Sequence, residues 1–111
     1  NENYWVWKCV LYYHLEDDTI YIGEPKIENS GIPQGVFLKR HKVPKAGSTA
    51  TYHWTDLNIG TEIDIYSWVY WLYDCDNFTW EFFEFNQVDL NPSEAPIEDN
   101  FLYSRMMLDM K

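Results

Sequence analysis

Apolar and polar positions alternate from the start of the chain. Trp5, Trp7, Cys9, Leu11, Tyr13 and Leu15 fall on one face, and Lys8, Tyr12 and His14 on the other, the period of a β-strand. Glu16-Asp17-Asp18-Thr19 turns the chain and Thr19 to Ile22 returns, which predicts a hairpin. Pro25, then Glu28-Asn29-Ser30-Gly31 with Pro33 and Gly35, predict a turn-rich loop. Val36-Phe37-Leu38 opens a third strand that runs into Lys39-Arg40-His41-Lys42 and stops before Pro44. The small polar stretch Lys45 to Thr51 predicts a mobile surface loop. Thr55-Asp56-Leu57-Asn58 with Gly60 predicts a tight turn or one helical turn.

The stretch from Ile63 to Phe85 anchors the rest. Ile63 and Ile65 alternate with Glu62, Asp64 and Tyr66, and after Ser67 a second aromatic strand runs from Trp68 to Tyr73. At Asp74 the period changes. Asp76 and Asn77 offer side-chain oxygens to the free N–H groups of a helix start, and Phe78, Phe82 and Phe85 then recur at helical spacing. This predicts a helix near Asn77 to Phe85, laid by that aromatic face across an open end of the sheet. Asn86 to Asn100, with Pro92 and Pro96, predicts an extended linker. Phe101 to Met110 predicts a short helix with Leu102, Met106 and Met110 on one face. The expected organisation is an all-β domain over residues 1–90, capped by its helix, and a tail over 91–111.

A chain of 111 residues holds one core and not two. Aromatic residues make up 19% of it, which suits strands and large contact surfaces. The formal net charge of −10 argues against non-specific binding to nucleic acid or to an anionic membrane, since both attract Lys/Arg surfaces. Two cysteines, Cys9 and Cys75, do not make a disulfide framework. Set among aromatic residues, they read as buried thiols, and a bridge would require their strands to adjoin. No apolar run approaches the length of a membrane span and nothing resembles a signal peptide, so a soluble, reducing compartment is the expectation.

Candidate chemistry is sparse. Asp74-Cys75-Asp76-Asn77 lacks the glycine and the distal glutamate of an EF-hand loop, and helix capping accounts for it better. His14, His41 and His53 show no ligand spacing with either cysteine, so neither a metal nor another cofactor is expected. Glu16-Asp17-Asp18 reads as a solvated turn. Ser30, Ser48 and Ser67 lack a nucleophile-elbow context, no Gly-rich phosphate loop is present, and no catalytic residue is assigned. One basic cluster remains, Lys39-Arg40-His41-Lys42 with Lys45. It reads either as a charge-protected edge strand or as a contact for an acidic partner.

Several stretches together resemble the DM10 domain, a module repeated in EF-hand-containing ciliary proteins. They are Tyr12-Tyr13-His14-Leu15-Glu16-Asp17-Asp18-Thr19-Ile20, Glu24-Pro25, and Glu28-Asn29-Ser30-Gly31-Ile32-Pro33-Gln34-Gly35. Leu38-Lys39-Arg40-His41 with Pro44, His53-Trp54-Thr55-Asp56-Leu57-Asn58, and Asp74-Cys75-Asp76-Asn77-Phe78-Thr79 continue the series in order. The resemblance runs from Tyr4 to Leu90 and is nearest to the first such copy in those proteins. It implies a PH-like β barrel closed by a C-terminal helix; family members usually open with a further strand ahead of the position of Tyr4, so the expectation is that this chain is a fragment or that its first strand is missing. It also implies a non-enzymatic role as a microtubule inner protein, in contact with tubulin and neighbouring inner proteins inside the doublets of cilia and flagella. A second reading is a PH-like domain for a lipid headgroup, a small ligand or a kinase-like partner, with Lys39, Arg40, Lys42 and Lys45 as its basic cup.

One departure from the family is systematic: Trp5, Trp7, Trp68, Trp71 and Trp80 stand where the family mostly carries arginine or lysine. Indoles therefore replace cations on surfaces expected to meet a partner. The candidate contact residues are Lys39, Arg40, His41, Lys42, Lys45, Trp68 and Trp80.

Overall fold

The computed structural model describes residues 7–24, 35–66, 68–94 and 102–109, with the side chains of Trp7, Lys8 and Leu102 left aside. The turn-rich loop expected from Pro25, and Trp5, lie outside the described residues. Among the described residues six strands form one sheet: β1 (Trp7–His14), β2 (Thr19–Gly23), β3 (Val36–His41), β4 (Glu62–Ile65), β5 (Trp68–Cys75) and β6 (Leu102–Asp109). Their order across the sheet is β3-β2-β1-β6-β5-β4. A helix, α1 (Asn77–Phe85), joins β5 to β6, and a single 3-10 turn spans Trp54–Asp56.

The alternation read from the sequence sets which side of each strand is covered. Cys9, Leu11 and Tyr13 of β1, Ile20 and Ile22 of β2, and Ile63 and Ile65 of β4 are buried on the inner face. Tyr70 and Leu72 of β5 join them, with Met106 and Leu108 of β6. Leu57, Ile59 and Phe83 close this core from outside the sheet. The sheet curls until its two ends approach. β3 and β4 are its opposite edges, yet the His41 ring stacks on Tyr66, just after β4, with centroids 5.8 Å apart. The Tyr52 hydroxyl donates to the Asp64 carbonyl of β4 across the same gap, at 3.2 Å. The result is a PH-like half-barrel with a helix beside it.

The segment from Phe101 to Met110 corrects an expectation. Residues 102–109 are a strand, not a helix, and they lie mid-sheet, parallel to both β1 and β5. Leu102 and Met106 do suit a helix face, but the same residues also alternate. Ser104, Met106 and Leu108 are buried on the inner face, while Tyr103, Arg105, Met107 and Asp109 pair with outer-face residues of β1. Tertiary context decides between the two periods, because without β6 both β1 and β5 would present an unpaired edge. Parallel neighbours need a long crossover. The helix supplies it, making β5, α1 and β6 a β-α-β unit.

The helix starts where the sequence indicates and buries a different face. Asp76 is its N-cap, accepting from the Thr79 amide at 3.1 Å. The Thr79 hydroxyl donates to the same carboxylate and accepts from the Leu108 amide at 2.9 Å, which fastens α1 to β6. Thr79 and Phe83 are the buried helix residues. Phe82 is half-buried, and Phe85, expected to anchor the helix, is 86% exposed. Trp54 selects that face: its ring meets Phe82 and Phe83 edge-on, at 4.9 and 5.1 Å.

Candidate partner-binding surfaces

The basic cluster lies at the end of β3, and two of its four cations are already paired. Nε of Arg40 donates to the Thr19 hydroxyl at 2.9 Å, and its Nη2 lies 3.1 Å from Asp17 and 3.7 Å from Glu16. The acidic turn Glu16-Asp17-Asp18 is thus largely occupied, since Asp18 also accepts from the Tyr13 hydroxyl at 2.6 Å. Nζ of Lys45 lies 3.1 Å from Asp56, which also accepts from the His53 amide that starts the 3-10 turn. The loop expected to be mobile is tied too. Pro44 and Thr51 form a bridge, and the Lys45 amide donates to the Ala50 carbonyl at 2.8 Å. Lys39 and Lys42 are exposed and have no carboxylate partner among the described residues.

His41 links this segment to the aromatic turn between β4 and β5. Its Nε2 lies 2.9 Å from the Tyr66 hydroxyl and its Nδ1 2.6 Å from the Lys39 carbonyl. Tyr66 adopts φ 52°, a left-handed conformation that costs a bulky residue about 1–2 kcal/mol. Its ring stack and hydroxyl contact with His41 offset that strain. Tyr66 is 56% exposed and Trp68, two residues on, is 63% exposed. We group Lys39, His41, Lys42, Tyr66 and Trp68 as one rim, in which the His41–Tyr66 stack joins the basic end of β3 to the aromatic turn before β5. Tyr66 carried no clear signal in the sequence, where it read as the polar side of β4.

Trp80 belongs elsewhere, on the solvent side of α1, 43% exposed. It opens a groove of about 320 Å³ lined also by Glu84, Gln87, Val88, Asp89 and Leu90. The groove exists because the helix ends in a reversal. The Val88 amide donates to the Phe83 carbonyl at 2.9 Å, the Gln87 amide to that of Glu84 at 3.0 Å, and Gln87 takes φ 60°, the Schellman pattern of a helix end. Asn58 then pins the returning segment. Its Nδ2 donates to the Asp89 carbonyl and its Oδ1 accepts from the Asn91 amide, both at 2.9 Å.

The remaining chemistry-bearing residues are held apart. Asp74 accepts from Arg105 Nε at 3.1 Å across β5 and β6, while Asp76 caps the helix, so the two carboxylates do not converge. Burial alone would raise the Asp74 pKa, but hydrogen bonds from Ser93 and the Cys75 amide, with the Arg105 charge, hold it below the ordinary value. His14 lies 3.2 Å from Asp109, His41 is on the rim and His53 caps the 3-10 turn. Among the described residues no group of three His, Cys, Asp or Glu is placed to hold a metal ion. Cys9 and Cys75 are free thiols on strands separated by β6. Two strand spacings of about 4.8 Å exceed what a disulfide spans. Burial raises both thiols to a pKa of about 11. Among the described residues no helix is long and apolar enough to cross a membrane.

Comparison with known proteins gives a consistent result. A family model described as the DM10 domain matches residues 1–79. The chain is 44% identical over 93 residues to EF-hand domain-containing protein 1 of Mus musculus, covering 84% of this chain and 14% of that protein. It is 44% identical over 100 residues to the Homo sapiens protein of that name, covering 90% and 16%. To EF-hand domain-containing family member C2 of Bos taurus it is 38% identical over 106 residues, covering 94% and 14%. The chain thus spans about one-seventh of these relatives' length. Neither the family description nor these names denote a catalyst.

Proposed function

The chain belongs to the DM10 domain family, and from that premise we propose that it is a non-enzymatic structural module of doublet microtubules in cilia and flagella. In this reading it is part of a microtubule inner protein and grips tubulin, or a neighbouring inner protein, through the rim at the end of β3. The observation that carries the reading is the rim itself. Two large aromatic side chains, Tyr66 and Trp68, are exposed, one of them in a strained conformation and stacked on His41, which lies between Lys39 and Lys42, two cations without a carboxylate partner among the described residues. Rigid aromatic anchors next to uncommitted charge are the composition of a protein-binding hot spot. Arg40 and Lys45 support the rim from behind, because their charges are already paired within the chain. The same pairing weakens the lipid-headgroup reading, which needs those two cations free.

Co-sedimentation of the chain with isolated doublet microtubules tests the proposal. The wild-type chain is expected in the pellet, and Trp68→Ala combined with Lys42→Glu is expected to reduce binding by about tenfold or more. Failure of both the chain and its parent protein to associate with doublets sinks the reading.

A further inference from the structure

The groove beside α1 differs from the rim in charge, and it points to a second partner. Trp80 and Glu84 are four residues apart on one helix face, and Asp89 faces them from the returning segment across the groove. Glu81, Glu84 and Asp89 are exposed, and among the described residues no lysine or arginine pairs with any of them. Every arginine of the chain is committed elsewhere, Arg40 to Asp17 and Arg105 to Asp74. An exposed indole flanked by unpaired carboxylates is therefore left without a cation. The floor is apolar, from Val88 and Leu90, both packed against the core. The geometry is also pre-organised. The helix-end reversal at Gln87 and the hydrogen bonds of Asn58 fix the second wall, so binding need not order it.

We propose that this groove docks an arginine-bearing peptide segment of a partner protein, one guanidinium stacking on Trp80 while Glu84 and Asp89 accept its N–H donors. A guanidinium fits better than an ammonium. It is planar, it stacks on an indole face, it bonds carboxylates in pairs and it is less strongly hydrated. The aliphatic stem of the arginine covers Val88 and Leu90. This surface does not overlap the rim, so the chain bridges two partners of opposite charge preference.

Calorimetric titration of the chain with a capped octa-arginine peptide, at low and at physiological ionic strength, tests the proposal. Binding is expected at both, tighter at low salt. Trp80→Ala is expected to weaken it about five- to tenfold, and Glu84→Gln with Asp89→Asn by about tenfold or more. These side chains are exposed, so the variants keep the fold. The control pair Glu16→Gln with Glu62→Gln removes the same formal charge from residues that do not line the groove and is expected to leave affinity within about twofold. Equal losses from both pairs, or no loss from Trp80→Ala, would mean that the peptide reads only the net charge, and the proposal falls. Octalysine binding as tightly as octa-arginine overturns the guanidinium assignment. Rim variants Trp68→Ala and Lys42→Glu should not alter this titration, so failure here is distinct from failure of microtubule binding.

Discussion

The rim at the end of β3 and the groove beside α1 both present tryptophan, but they hold charge in opposite ways. The rim carries the chain's one basic cluster, and the fold takes half of that charge for itself: Arg40 is paired with Asp17, and Lys45 with Asp56. The groove carries carboxylates that no basic side chain answers among the described residues. A run of charges in sequence therefore says little about charge available to a partner. What counts is whether a neighbouring element supplies the counter-ion first. The turn before β2 does so for Arg40, and no element among the described residues does so for Glu84 and Asp89.

The two surfaces also rest on different supports, and substitutions should separate them. The groove depends on a helix fastened to the core. Phe83→Ala leaves a cavity beneath α1 and should lower stability by about 3–5 kcal/mol, removing the groove with it. Phe85→Ala, at a side chain almost fully in solvent, should stay within about 0.5 kcal/mol. Denaturant unfolding monitored by circular dichroism distinguishes them, and equal effects would mean that the helix buries its Phe78-Phe85 face instead. Asp76→Ala removes the N-cap and should cost about 1 kcal/mol, while leaving the proposed microtubule binding through the rim unchanged.

The rim's internal pairing should show in acid. The hydrogen bond from Thr19, with the Arg40 charge, holds the Asp17 carboxyl below its ordinary value of 3.8. A carboxyl depressed in the folded state adds stability at pH values above its unfolded pKa. That contribution is lost as the pH falls from about 4 toward the folded value. Asp17→Asn should therefore flatten the stability curve below about pH 4, and Asp74→Asn should do the same through its ties to Ser93 and Arg105. An unchanged slope in both variants would show that these carboxyls titrate alike in the folded and unfolded chain. The effect is expected to be small, because Asp17 sits in water.

The half-barrel was largely legible in the residues. The alternation in β1, β2 and β4 needs only period two, and the change of period at Asp74 with Asp76 as cap marks the helix start without any tertiary information. The helix face was not legible. Phe78, Phe82, Phe83 and Phe85 leave two apolar stripes open, and only Trp54, distant in sequence, decides between them. β6 failed for a related reason, since Leu102, Met106 and Met110 recur at a helix spacing of four and are also every second position of a strand, and only the open edges of β1 and β5 decide between the two. Of the contact candidates, Lys39, Lys42, Trp68 and Trp80 were readable as exposed. The second wall of the groove was not, because its position depends on Asn58, thirty-one residues from Asp89.

The central position of β6 governs how the chain acquires its shape. On a ribosome, β1 to β5 emerge before the strand that joins them, so the two halves of the sheet stay separate until residues 102–109 arrive. Closing that gap brings Trp7 opposite Leu102, a pairing across almost the whole chain, and such contacts form late and slowly. Until then the facing edges of β1 and β5 are open to any strand nearby. A nascent chain stalled before β6 would be a candidate for chaperone capture rather than a folded half-domain.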